Sequence, residues 1–302
     1  MRRAKEKTPE NAGGKNNPTK PNTILNEGLT GKILTTISYQ FNSFLGKVFE
    51  FDLAKGTYNP VFPDGVAAQN PKGEIFYFDK NSRMKITDKT GGTTIKQLSD
   101  KINYNFNEFY PAISNSGEFI AFTLPYKSTT GSIMDLVADG IKLVIADRNG
   151  QGVAEFKSYT QAAWMPDGKL VVADDGKTKQ GLFIIDAKFK TIAPLFEGGG
   201  LDNSTMPTVS PDGKIVAFVK NGEIWSINLD GTNRQKILYG SDSTFPAWSP
   251  DGKYIASSTF MKVNLIDKPI LVIVDLKADK AIIVKNGSGE VVETRNRITW
   301  LP

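Results

Sequence analysis

Trp248-Ser-Pro-Asp-Gly252-Lys-Tyr-Ile-Ala256 is a turn set between two apolar stretches, and the chain repeats it. Val209-Ser-Pro-Asp-Gly213-Lys-Ile-Val-Ala217 and Trp164-Met-Pro-Asp-Gly168-Lys-Leu-Val-Val172 are close copies. Ile113-Ser-Asn-Ser-Gly117-Glu-Phe-Ile-Ala121 and Gln69-Asn-Pro-Lys-Gly73-Glu-Ile-Phe-Tyr77 are weaker ones, so the turn recurs every 39 to 51 residues. A unit that small cannot bury its apolar faces alone, and a period of this size means one supersecondary element stacked many times.

The unit reads as a hairpin. Ser-Pro-Asp-Gly fits a type I turn, with Pro pre-setting φ at the second corner and Ser, Asp and Gly at the first, third and fourth. The stretch after it, such as Ile215-Val-Ala-Phe-Val219, is almost entirely apolar. That pattern suits a strand covered on both faces, here by neighbouring blades of a propeller.

A second mark checks the count. An acidic or amide residue closes another apolar run once per unit, at Asp52, Asp88, Asp147, Asp186, Asn228 and Asp275, which implies six blades. Five full turns are present, and the sixth is divided between the two ends of the chain. Ile298-Thr-Trp-Leu-Pro302 followed by Thr30-Gly-Lys-Ile-Leu34 rebuilds it. The C-terminal strand is therefore expected to complete the first blade, which closes the ring and removes an open sheet edge.

These repeats resemble the six-bladed TolB-like propellers, whose WD-like units carry the Ser-Pro-Asp-Gly-Lys signature, and the resemblance covers residues 23–302. It implies an all-β fold of four-stranded antiparallel blades and an exported protein of the bacterial envelope, periplasmic or at the cell surface. The small α/β domain that precedes the propeller in TolB has no counterpart here. Nor does the hydrolase domain that prolyl-oligopeptidase relatives attach to theirs.

With 302 residues, 39% of them hydrophobic, the chain can bury a substantial core, and it has no apolar run of about 18 residues that would span a bilayer. Residues 1–22 form a separate basic tail. It is nearly without apolar side chains, so it is expected to be disordered. Arg2, Arg3, Lys5, Lys7, Lys15 and Lys20 against Glu6 and Glu10 give it most of the chain's net charge of +5, which leaves the propeller nearly neutral. A nucleic-acid-binding ring would carry its own basic stripe, so no nucleic-acid partner is expected. The tail lacks the apolar core of a signal peptide. Its Pro, Asn and Lys content suits the spacer of a lipid-tethered export product.

The chain contains no His and no Cys. Ser-His-Asp and Cys-His nucleophiles and His- or thiolate-ligated metals are thereby excluded. Carboxylate chemistry remains open, as in a pair of acids acting on a glycosidic bond, but most acids are taken by turns and strand ends. Asp174-Asp-Gly-Lys177 lacks the spacing of a calcium loop and reads as a solvated turn. No catalytic residue, metal or cofactor is expected.

Binding is expected on the loops of the face opposite the repeated turns. Between blades two and three, Asp100 to Tyr110 offers Tyr104 and Phe106 among amides, with Phe109 and Tyr110 entering the next strand. An insertion from Leu124 to Asp139 projects Tyr126 and Lys127, and the stretch Thr259 to Asp267 reads as an extended strand pair bearing Phe260. Trp164, Trp248 and Trp300 hold one repeat position and read as packing residues. The sequence thus describes a non-catalytic binding propeller whose partner docks on the long loops or over the central channel. The alternative is a saccharide or small ligand held in the channel, with carboxylates there if the protein is glycan-active.

Overall fold

The computed structural model describes residues 25–37, 46–79, 84–87, 94–97, 110–126, 140–174, 180–198, 204–238, 242–294 and 297–302. The basic tail, Asp88, the segment 98–109 and the insertion 127–139 lie outside them. Blade 5 states the plan most plainly: Ser204–Val209, Ile215–Lys220, Glu223–Asn228 and Gln235–Leu238 pair antiparallel in that order. Blade 3 repeats it with Ala112–Ile113, Phe119–Tyr126, Gly140–Asp147 and Gly152–Lys157. Blade 4 does so with Tyr159–Trp164, Leu170–Asp174, Gly181–Ile185 and Ile192–Glu197, and blade 6 with Ser243–Trp248, Tyr254–Val263, Ile266–Asp275 and Lys280–Ile283.

Blades 1 and 2 are joined in one seven-stranded sheet because they share Thr57–Gln69. Its first half pairs with Gly46–Asp52 as the outer strand of blade 1, and its second half pairs with Ile75–Asp79 as the inner strand of blade 2. Met84–Thr87 and Thr94–Gln97 complete blade 2. In blade 1 the innermost strand is Thr299–Leu301, paired with Lys32–Ile37. Ile33 faces Trp300 there just as Ile255 faces Trp248 in blade 6, so the divided repeat closes in the register of the intact ones. Gly31 lies in the left-handed region (φ 89°) against the Leu301 carbonyl, where any Cβ would collide. The Trp300 indole N–H donates to the Thr30 carbonyl at 3.2 Å.

The repeated turn is stabilised by its own side chains. In blade 5 the Gly213 N–H donates to the Ser210 carbonyl at 2.8 Å, while the Ser210 hydroxyl donates to Asp212 at 2.7 Å and accepts the Ile215 N–H at 2.9 Å. Ser249, Asp251 and Tyr254 repeat the set in blade 6. Where Met165 replaces the serine in blade 4, Asp167 pairs instead with Lys169 at 2.7 Å. Gly213 and Gly252 sit at φ 72° and 71°, a conformation that costs other residues roughly 1–2 kcal/mol. The strand-end acids work similarly: Asp147, Asp186 and Asp275 each accept two or more backbone N–H groups of the turn that follows.

Burial runs from the channel outward. The second strand of blade 4, Leu170–Asp174, is buried at every position, whereas the outer strand of blade 3, Gly152–Lys157, is mostly exposed. Apolar side chains gather between blades, in one cluster for each of six junctions. Phe76, Phe78 and Phe122 fill the junction of blades 2 and 3, and Phe218 that of blades 4 and 5. At the closing junction the turn Leu25–Gly28 adds a clasp: the Asn26 amide donates to the Leu53 carbonyl of blade 1 at 2.7 Å and accepts the Lys285 N–H at 2.9 Å.

Candidate functional site

The inner strands surround a central cavity of about 400 Å³ that opens on the face of the repeated turns. Its mouth is ringed by the second residue of each turn: Pro71, Asn115, Pro166, Pro211, Pro250 and Pro302. Its wall carries Trp164, Trp248 and Trp300, each at least nine-tenths buried, together with Ala68, Ile113 and Val209. Trp164 and Ala163 belong to the innermost strand of blade 4, Thr208 to that of blade 5, and Trp248 and Ala247 to that of blade 6. The tryptophans therefore pack between blades and also present an edge to the cavity. Trp300 stacks on Tyr254 at 6.1 Å, and Trp164 stacks on Phe119 at 6.2 Å.

Toward the opposite end the channel is narrowed by side chains that come from one column of the repeat, of which all but Val66 line a common chamber. Five residues before each mouth residue stand Val66, Tyr110, Gln161, Met206, Phe245 and Arg297. Tyr110, Gln161, Met206 and Phe245 all have positive φ, between 41° and 52°, and the inner strands of blades 4, 5 and 6 bulge there. A bulge re-aims the side chain, in this case toward the axis and the next blade. The Met206 N–H donates to Oε1 of Gln161 at 2.7 Å, and the Phe245 N–H meets the Met206 sulfur at 3.3 Å. Across the ring, the Tyr110 and Phe245 side chains lie 6.2 Å apart, and both terminal nitrogens of Arg297 reach the Ala162 carbonyl of blade 4 at 3.4 Å. A second chamber of about 40 Å³ remains between these groups. Arg297 lines both chambers and stands between them. Burial pulls its pKa down to about 10, which leaves the guanidinium charged at neutral pH.

The electrostatics of the cup are simple. Among the described residues lining either chamber none is Asp or Glu, and Arg297 is the one charged side chain. No three acidic residues converge anywhere among the described residues.

Of the residues singled out on the loops, Phe260 is the one whose side chain is described. Tyr104, Phe106 and Lys127 lie outside the described residues, and Tyr126 is described only as the last backbone position of Phe119–Tyr126, opposite Gly140. Phe260 is half-buried on a hairpin that extends blade 6, paired with Pro269, and the tip beyond it exposes Leu265 and Ile266. The extended strand pair expected there is present. Asp174 departs from the solvated turn expected of it: it ends a buried strand, and its carboxylate accepts the Gln180 N–H at 3.2 Å. Gln161, Met206, Phe245 and Arg297 were not singled out as a group. Their shared distance from the turn is the signal that finds them.

No protein-family model matches the sequence. The structure is similar to TolB from Acinetobacter baumannii, at 17% identity and a TM-score of 0.66, over 90% of this chain and 67% of that one. A chain of a nidogen/laminin complex matches at 14% identity and a TM-score of 0.61, over 90% of this chain and 98% of its own. Oligogalacturonate lyase from Vibrio parahaemolyticus matches at 10% and 0.54, over 80% and 72%. At these identities the likeness is one of fold, and by it the chain is a six-bladed β-propeller built on the plan of the TolB propeller.

Proposed function

We propose that this propeller is a non-catalytic binding module of the bacterial cell envelope, and that it holds a protein partner by an extended peptide segment inserted into the cup. The observation that carries the reading is the lining of that cup. Proline rings at the mouth, indole edges on the wall and the Asn115 amide offer apolar contact with a hydrogen-bonding group beside it. Sites of this size and composition are what recognition of a small ligand or peptide requires. Rigid aromatic anchors supply most of the energy in such contacts. The glycan-active alternative needs two carboxylates about 5 to 10 Å apart. The described lining contains none.

Selection of short random peptides on the folded protein tests this. Peptides so obtained lose binding to a T208W variant, in which an indole fills the cup, and keep it in a variant with alanine at Tyr104, Phe106 and Tyr126. The reverse pattern moves the partner to the long-loop face, where Lys127 and Phe260 would join those three. Failure of every peptide to bind removes the reading. The envelope location is tested separately, by fractionating cells that express the natural gene.

A further inference from the structure

Three of the five large hydrophobic side chains that stand exposed among the described residues sit at the end of one hairpin: Met261, Leu265 and Ile266. The hairpin is an extension of blade 6. Its strands, Tyr254–Val263 and Ile266–Asp275, have 10 residues each, where the matching strands of blade 5 have 6. The added length carries its tip roughly 13 Å past the corresponding turn of blade 5. Its first strand leads away from the repeated turn at Gly252, so the tip stands on the face opposite the mouth of the cup.

The tip holds a conflict between side chain and backbone. Val263 pairs with Ile266, so Asn264 and Leu265 alone make the turn, and both have positive φ, 51° and 65°. Two such residues are the mark of a type I′ hairpin turn, in which Asn suits the first position and Gly the second. Leu265 takes the glycine position with 94% of its surface exposed, so no packing offsets the unfavourable backbone. The ring gains nothing from that side chain, and a local rule broken without compensation points to a use outside the ring. Behind the tip the charges are compensated: Lys262 lies opposite Asp267 in register, and Lys268 donates to Glu293 at 2.5 Å.

We propose that this hairpin is a membrane-contact element, with Leu265, Ile266 and Met261 entering the apolar edge of a lipid bilayer. Two observations favour lipid over a protein surface. Three side chains on a projecting tip offer a few hundred square ångströms, well short of the roughly 1,200 Å² that a stable protein interface buries. The charges at headgroup level also cancel, so apolar insertion, not an anionic headgroup, sets the attraction. Contact through this tip turns the mouth of the cup away from the bilayer and leaves it open to a partner. The inference goes beyond the cup and does not depend on what the cup binds.

Flotation of the full chain with phosphatidylcholine vesicles in high salt tests it, since a neutral headgroup and screening together remove any pull on the basic tail. The wild-type protein is expected to float with the lipid, and L265G to partition about tenfold more weakly. The thermal midpoint of L265G is expected to hold or rise, because relief of the left-handed turn offsets the added freedom of the unfolded chain. L265W supplies a readout at the tip: the fluorescence it adds is expected to shift to the blue on vesicles and to be quenched by brominated acyl chains. Equal partition of wild type and L265G, or an L265W emission that lipid leaves unmoved, overturns the proposal. So does a lower thermal midpoint in L265G, which would show Leu265 packing on the ring. Absence of wild-type binding overturns it too and gives the tip to a protein pocket. None of these outcomes touches the peptide selection, so the cup is judged apart from the tip.

Discussion

The two ends of the central channel are built from the same six strands and behave in opposite ways. At the turn face the repeat places six nearly identical corners, five of them proline, and the result is an open mouth. Five residues deeper the equivalent positions hold a valine, a tyrosine, a glutamine, a methionine, a phenylalanine and an arginine, and the last five narrow the channel to a small second chamber, its floor among the described residues. The mouth follows from symmetry and the floor from its loss. Turn positions are constrained by backbone geometry, so they repeat; floor positions are constrained by one another across a narrow axis, so they cannot.

The contrast breaks most severely where the ring itself closes. W300A removes a buried indole that packs against Tyr254 and holds the Thr30 carbonyl across the divided turn, and it is expected to cost about 3–5 kcal/mol in urea unfolding. A smaller loss is expected at the floor. Q161A strips the Met206 N–H of its acceptor, at about 1–3 kcal/mol. At the mouth, G213A forces a left-handed alanine against the Pro166 ring, whose Cδ lies 3.2 Å from the new Cβ, and about 1–2 kcal/mol is expected. S249A removes one hydroxyl that both donates and accepts, and about 1 kcal/mol is expected. If floor and mouth variants differ in the other order, the floor is less tightly coupled than its hydrogen bonds indicate.

Acid gives the smallest effect, and at the mouth it acts through the turn carboxylates. The serine hydroxyls beside Asp212 and Asp251 hold those carboxyls below their ordinary value of 3.8. A depressed folded pKa means stability that is present above the unfolded value and lost as pH falls through the folded one. The thermal midpoint is therefore expected to drop between about pH 4 and pH 2. In S249A that drop should shrink, because the hydroxyl that lowers the Asp251 pKa is gone.

Blade number and ring closure were legible because turn chemistry is local: Ser, Pro, Asp and Gly act within one corner, and the halves at Trp300 and Gly31 keep their register across the chain ends. Local reading also has a decoy. Pro63-Asp-Gly65 spells three residues of the motif yet lies inside the extended strand Thr57–Gln69, because its partners continue on both sides of it. The floor was not legible by residue type, since Gln161, Met206, Phe245 and Arg297 share no chemistry and acquire a common role only through the bulge and the axis they face. Aromatic residues on loops, such as Tyr104 and Phe106, drew attention by composition alone. Trp164 and Trp248 were read as packing residues, which they are, and composition gave no sign that their edges also line a cup.

The chain's four tryptophans supply the direct test of the cup as the binding site. Trp164, Trp248 and Trp300 line it, while Trp225 lies away from it in the third strand of blade 5, beneath Lys220 and Lys236. Indole N–H signals of ¹⁵N-labelled protein, assigned with single Trp-to-Phe variants, would be followed on addition of a selected peptide. The account predicts that the three cup signals shift together and that of Trp225 stays in place. A shift of Trp225 with the other three unmoved, or binding that moves none of the four, would contradict it.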